Sequence, residues 1–241
     1  MSSRDALILF LPEAAELPPR WMRVIDGALV QSGEGANWLA ACGIAALPEQ
    51  ARVLLVPPAA LVTLHWMAYP DLPPRQGRAA ARLAVLASGL LPADQLFAAV
   101  DENDDPSAPH LIALASRSDM QHWMLWAQNH GLDPDIIVPA PLLIEAPEQG
   151  LGRAMIGGAA VLRGENMALP EDMALPELIA DAPMIDVTTG MVEGRAIAAL
   201  DRPPLDMRQG DFAKRVRPAL DRRALQRIAV WTGMILFLLL A

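Results

Sequence analysis

The 241 residues, 53% of them hydrophobic, suffice for one large or two modest domains, and a single cysteine excludes an intramolecular disulfide and any CxxC metal knuckle. The formal charge of -9 is unevenly spread: residues 1–213 carry 13 arginines against 27 acidic groups, whereas residues 214–241 carry six basic groups against one acidic. An acidic body with no aromatic-interleaved basic stripe excludes a nucleic-acid-binding face, which needs clustered cations to neutralise phosphates.

The opening MSSRDALILFLPE has an apolar run stopped by Pro12 and followed by acid, so residues 6–11 read as a strand rather than a signal peptide, and the chain is expected to start in the cytoplasm. Residues 21–25 and 29–31 flank Asp26-Gly27, a strong hairpin signal. Asn37 is placed to cap a short helix to Gly43. Cys42 lies in that helix among Leu39, Ala40, Ala41 and Ile44 as a small buried hydrophobe, in keeping with a reducing compartment. Residues 52–56, stopped by Pro57-Pro58, read as a buried strand. The order is strand, strand, strand, helix, strand.

A second block follows. Residues 61–68 read as a strand, and Pro73-Pro74 opens a helix with Leu83, Leu86 and Leu90 on one face and Arg75, Arg78 and Arg82 on another. Residues 96–100 and 111–115 read as strands joined by the acidic loop DENDDPSAP. Ser118 with Gln121 suggests a capping box for a helix that ends at Gly131, its stripe running through Met120, Trp123, Met124 and Ala127. Residues 136–138 return as a strand. From 153 the first order begins again: a strand at 153–156, a Gly157-Gly158 turn, strands at 159–163 and near 166–169, and a helix over 175–181. The short repeat MALPEDMALPEL reads as a loop entering that helix. Two copies of one unit are expected, at 1–60 and 146–211, with an α+β block inserted at 61–145.

Enzymatic apparatus is hard to find in these residues. His65, His110, His122 and His130 show neither HExxH spacing nor a cysteine companion for zinc. A GxSxG elbow and a GxxxxGK[ST] loop are both missing, and the only lysine is Lys214. Asp101, Glu102, Asp104 and Asp105 lack the glycine and terminal glutamate of a calcium loop and read as solvated. Gly157-Gly158 is a turn of the kind that can cradle phosphates, but Ala154, Met155 and Ile156 precede it where an acidic magnesium ligand belongs. No catalytic residue, cofactor or metal is expected.

The tail reads as membrane-proximal. Lys214, Arg215, Arg217, Arg222, Arg223 and Arg227 precede the uncharged run IAVWTGMILFLLLA at 228–241, with Trp231 at headgroup level. Fourteen residues rise about 21 Å against a hydrocarbon core of about 30 Å, so a truncated transmembrane helix is expected, with 212–227 as its basic juxtamembrane segment on the cytoplasmic side. A buried helix closing a soluble domain and a true tail anchor are the alternatives for so short a run.

In order along the chain, the opening strand ending Leu11-Pro12, WMRVIDG at 21–27, VLLVPPAALVTLHWMAYPDLPPR at 53–75, ASRSDMQHWMLWAQNHGLDPDIIVPAP at 115–141 and MRQGDFAKR at 207–215 resemble protein L of type II secretion systems, the GspL family. Gln209, Gly210 and Phe212 match the family's Gln-Gly-x-Phe segment, whereas Asp206-Met207-Arg208 departs from its usual apolar residues. The resemblance implies an α/β chain with a duplicated actin-like (RNase H-like) fold lacking a working ATP site, one crossing of the bacterial inner membrane, and a periplasmic part beyond this sequence. It also implies a non-enzymatic scaffold that recruits the cytoplasmic secretion ATPase (protein E), joins bitopic protein M and polytopic protein F, and self-associates. An actin-like nucleotide-binding protein of the pilus-assembly or cell-division type is the alternative. By elimination, the partner surface is expected in the inserted block, at Arg75, Arg78 and Arg82 with Asp101, Asp104 and Asp105, anchored by apolar neighbours.

Overall fold

Alternating and continuous apolar runs become strands wherever a partner can satisfy their backbone. The computed structural model describes residues 5–14, 16–43, 51–105, 108–175, 179 and 182–214. The first unit comprises β1 (Asp5–Phe10), β2 (Arg20–Ile25), β3 (Ala28–Gly33), α1 (Trp38–Ala41) and β4 (Arg52–Val56). β1–β2–β3 is an antiparallel meander and β4 lies parallel to β1 on its other side. The Asp26-Gly27 turn has φ of 50° and 79°, the double left-handed conformation of a two-residue hairpin turn. Asn37 departs from expectation: its side chain makes no cap bond, and its carbonyl accepts from Ala40 and Ala41 instead.

The second unit repeats the plan. β9 (Leu151–Ile156), β10 (Ala159–Arg163) and β11 (Ala168–Pro170) form a meander, and β12 (Met184–Asp186) lies parallel to β9, before α4 (Thr189–Ala199). Gly157 and Gly158, with φ of 61° and 90°, close its first hairpin. Of the helix expected over 175–181 only Leu175, which is not helical, and Ile179 lie within the described residues, and β12 and α4 are elements that periodicity alone does not announce.

Between the units stand β5 (Thr63–Met67), α2 (Pro74–Ser88), β6 (Leu96–Val100), β7 (His110–Ser116), α3 (Arg117–Asn129) and β8 (Ile136–Ile137). β5, β7 and β6 make a separate antiparallel sheet. β8 does not join it; it pairs in parallel with β4 and completes a first sheet ordered β3-β2-β1-β4-β8. The helix α3 is capped two residues earlier than the sequence suggests: Ser116 accepts from the Asp119 N–H at 2.9 Å, and its hydroxyl donates to the Asp119 carboxylate. Its stripe of Met120, Trp123 and Ala127 is buried as expected, and Gly131 (φ 74°) ends it.

On α2 the fully buried face is Gly77, Ala81 and Val85; of the three leucines only Leu86 packs beside it, partly buried. Small side chains let the helix lie close on β6 and β7, over Leu96, Ala98, Ile112 and Leu114, and the alignment turns Leu83 outward at 67% exposure, with Leu90 also exposed. The main core joins both units and α3 in one cluster. Trp38 of α1 stacks on Trp126 of α3 at 5.5 Å, and His130 packs against both rings. Arg163 of β10 lies over the Trp66 ring of β5 at 4.6 Å and donates to the carbonyls of Glu165 and Met167, which offsets part of the cost of burying it.

Residues 205–214 form a strap across this assembly. The Met207 N–H donates to the Ile137 carbonyl, and the Asp206 carboxylate accepts from the N–H groups of Ile137 (3.0 Å) and Arg208 (2.9 Å), so the outer edge of β8 is satisfied. Further along, Phe212 meets Phe97 edge-on at 5.1 Å, and Lys214 reaches Asp135 at 2.5 Å. The segment around Gln209, Gly210 and Phe212 that the sequence singled out is thus a tertiary clamp.

Candidate partner-binding cleft

Arg78 and Arg82 stand one turn apart on α2, and the 101–105 loop leaves the end of β6 beside them. Arg78 donates to the Asp104 carboxylate at 2.8 Å and to the Asn103 carbonyl at 3.2 Å. The two charge features of opposite sign therefore meet in one open cleft of about 780 Å³, with Leu83, Leu86 and Val100 as its apolar wall. Asp101, Glu102, Asp104 and Gln209 also line it. Arg75 and Asp105 do not: Arg75 is exposed a turn away, and the Asp105 N–H is turned to the Asn103 side chain. Gln209 was legible only as part of a motif. Its amide donates to the Val100 carbonyl at 2.8 Å and accepts from the Val100 N–H at 3.2 Å, so it pairs with β6 as a strand residue would and ties the cleft floor to the strap.

Beneath the loop, Asp101 faces His110, which is only 2% exposed, at 3.6 Å. His110 is buried because Gly77 leaves its ring a place against α2; a Cβ there would press on Nε2. Burial pushes the Asp101 carboxyl above the usual aspartate range, against the opposing pull of the Leu111 N–H and the His110 ring. Asp206 is raised likewise by burial, against its bonds from Ile137 and Arg208. Raised carboxyl values mean that the folded chain binds more protons than the unfolded one. Their contribution is present in full below the ordinary aspartate value and is lost as pH rises through the raised values. Urea melts between about pH 4 and pH 7 should show this decline, and Asp101→Asn with Asp206→Asn should flatten it relative to the parent.

A second hollow, about 450 Å³, lies beside the glycine turn and is lined by Glu13, Gly158, Ala159, Ala160, Glu171 and Asp172. Among the described residues three carboxylates and no cation line it, Glu171 being already paired with Arg153 at 2.8 Å, which opposes a triphosphate. Among the described residues no group of three or more histidine, cysteine or acidic side chains is gathered for a metal ion. Gly158 has open space around a would-be Cβ, so Gly158→Ala is expected to cost about 1 kcal/mol of stability from its positive φ alone. Calorimetry with magnesium-ATP should give no saturable heat in either form.

The membrane-proximal residues Arg215, Arg217, Arg222, Arg223, Arg227 and Trp231, with the whole span at 228–241, lie outside the described residues. Among the described residues no helix is long and apolar enough to cross a membrane. Lys214 is described, held at Asp133 and Asp135 where the strap ends.

A scan of protein-family models and a search of curated proteins return no match. Among solved structures, the chain is similar to the cytoplasmic domain of EpsL, an inner-membrane component of the type II secretion system of Vibrio cholerae, with a TM-score of 0.68 and 16% sequence identity. The likeness covers 86% of this chain and 99% of that one, so over that span this mixed α/β chain shares the fold of that domain.

Proposed function

We propose that the chain is the cytoplasmic part of an inner-membrane platform subunit of a type II protein secretion system, with a duplicated actin-like (RNase H-like) architecture that serves as a scaffold and not as an enzyme. The observation that carries this reading is the likeness to the EpsL domain over 99% of that domain's length. The matching strand order of the two units, β3-β2-β1-β4 and β11-β10-β9-β12, supports the duplication. The carboxylate-lined hollow at Gly158 disfavours the alternative reading as an actin-like nucleotide-binding protein of the pilus-assembly or cell-division type.

In this reading the basic residues from Lys214 onward hold the cytoplasmic side of a single-pass span, and bitopic protein M, polytopic protein F and further copies of the chain are its neighbours in the platform. The secretion ATPase, protein E, is recruited through the α2 cleft. Leu83 and Leu86 supply the apolar anchor. Arg82, with no ion-pair partner among the described residues, takes a carboxylate of the ATPase, while the Arg78–Asp104 pair at the rim orients the approach. Tethering the ATPase raises its local concentration at the membrane without any chemistry by the tether.

Recruitment is tested by co-expressing the membrane-anchored chain with its cognate ATPase and fractionating the cells. The ATPase should move to the inner-membrane fraction when the chain is present and return to the cytosol when it is omitted. An unchanged distribution would remove the recruiting role.

A further inference from the structure

We propose that the edge of β12, which no described strand pairs, accepts an extended apolar segment of a partner protein, added as a fifth strand parallel to β12. The argument comes from the chain's own duplication. In the first unit β4 lies parallel to β1 and is followed outward by β8, which contributes Ile136 and Ile137. The strap then seals the outer edge of β8. In the second unit β12 holds the position of β4, parallel to β9, and among the described residues no strand pairs its other side. The opposite edge, β11, packs toward β5.

The two equivalent positions differ in exposure and not in polarity. Leu54 and Leu55 are fully buried, whereas Met184 and Ile185 are 41% and 48% exposed. The Leu151 N–H donates to the Pro183 carbonyl and the Val187 N–H to the Arg153 carbonyl, so residues 183, 185 and 187 direct their backbone toward β9. By the alternation of a strand, Met184 and Asp186 direct N–H and C=O outward, where a parallel neighbour would take them. A groove of about 430 Å³ runs beside this edge, lined by Leu143, Pro147, Val187 and Met191 on the Ile185 face. An added strand would place every second side chain in it, so the segment is apolar at alternate positions, backbone bonds supplying affinity and the groove selecting side chains. The rim charges Glu145 and Arg195 are already paired with each other at 3.2 Å, so the groove asks for no charge from its ligand.

The parallel arrangement also selects the occupant. Two copies related by a twofold axis can join β12 to β12 only antiparallel, so a second copy does not reproduce the β4–β8 geometry.

The test places a benzophenone amino acid at position 185 of the full-length chain in cells that make the secretion machine, with the same probe at Leu125, which is 53% exposed on α3, as control. Mass spectrometry then maps the crosslinked peptide. At least about fivefold more adduct at 185 than at 125 is expected, concentrated in one apolar extended segment of a different protein. Met184→Pro, which removes an outward N–H and is tolerated at an edge, should abolish that adduct. Val187→Lys, which blocks the groove, is the companion variant should the proline unfold the chain. Adducts no stronger than at Leu125, adducts to a second copy, or a yield unchanged by a folded blocking variant would each overturn the strand addition.

Discussion

Gly150→Ala should be the most damaging small substitution in the chain, costing roughly 3 kcal/mol or more. Gly150 has φ of 78°, where a Cβ is strained wherever it points. Here it also points at the backbone of Pro183, whose carbonyl oxygen and carbon a new Cβ would meet. That carbonyl accepts from the Leu151 N–H, the bond that starts the β9–β12 pairing, so relief of the clash must open the parallel ladder. Urea denaturation is expected to show a lower midpoint for Gly150→Ala than for Gly158→Ala by several-fold in free energy. The comparison isolates the clash, because both glycines have positive φ and only one has a neighbour.

Met207→Ala is the second large loss, at about 2 to 4 kcal/mol. Met207 is fully buried in the main core while its N–H is bonded to β8, so truncation leaves a cavity under the strap and the surrounding strands can close on it only in part. The strap is also the route from the folded body to Lys214. Hydrogen exchange in this variant should therefore accelerate at Ile137 and Val100, the two backbone sites that Asp206 and Gln209 hold, before it accelerates in β1. Uniform acceleration would mean that the strap has no local role.

Much of this fold was legible in the sequence because its signals are local. Asp26-Gly27 and Gly157-Gly158 need only two residues to specify a hairpin, and Met120, Trp123 and Ala127 repeat at helical spacing within one element. β12 was illegible because Met184-Ile185-Asp186 is three residues long and owes its extended form to β9, not to its own composition. The leucine face of α2 misled in part: Leu83 turns outward because the buried face is Gly77, Ala81 and Val85 with Leu86 beside it, and Leu90 lies beyond the end of the helix at Ser88. The candidate cleft was half legible. Charge runs located Arg78, Arg82, Asp101 and Asp104, whereas their approach to one another and to Gln209 depends on contacts 25 residues or more apart in sequence.

The claim that the α2 cleft docks the secretion ATPase is met most directly by titrating the chain with the ATPase's N-terminal domain at low and high salt, in the parent and in Arg82→Glu with Leu83→Asp. Leu83 is exposed and Arg82 half-buried without an ion-pair partner among the described residues, so the double variant should fold with an unchanged urea midpoint. Binding should weaken by about 100-fold or more, most of it from the apolar anchor, and the association rate should lose part of its salt dependence. Binding of parental affinity and parental salt dependence by a folded double variant would contradict the assignment.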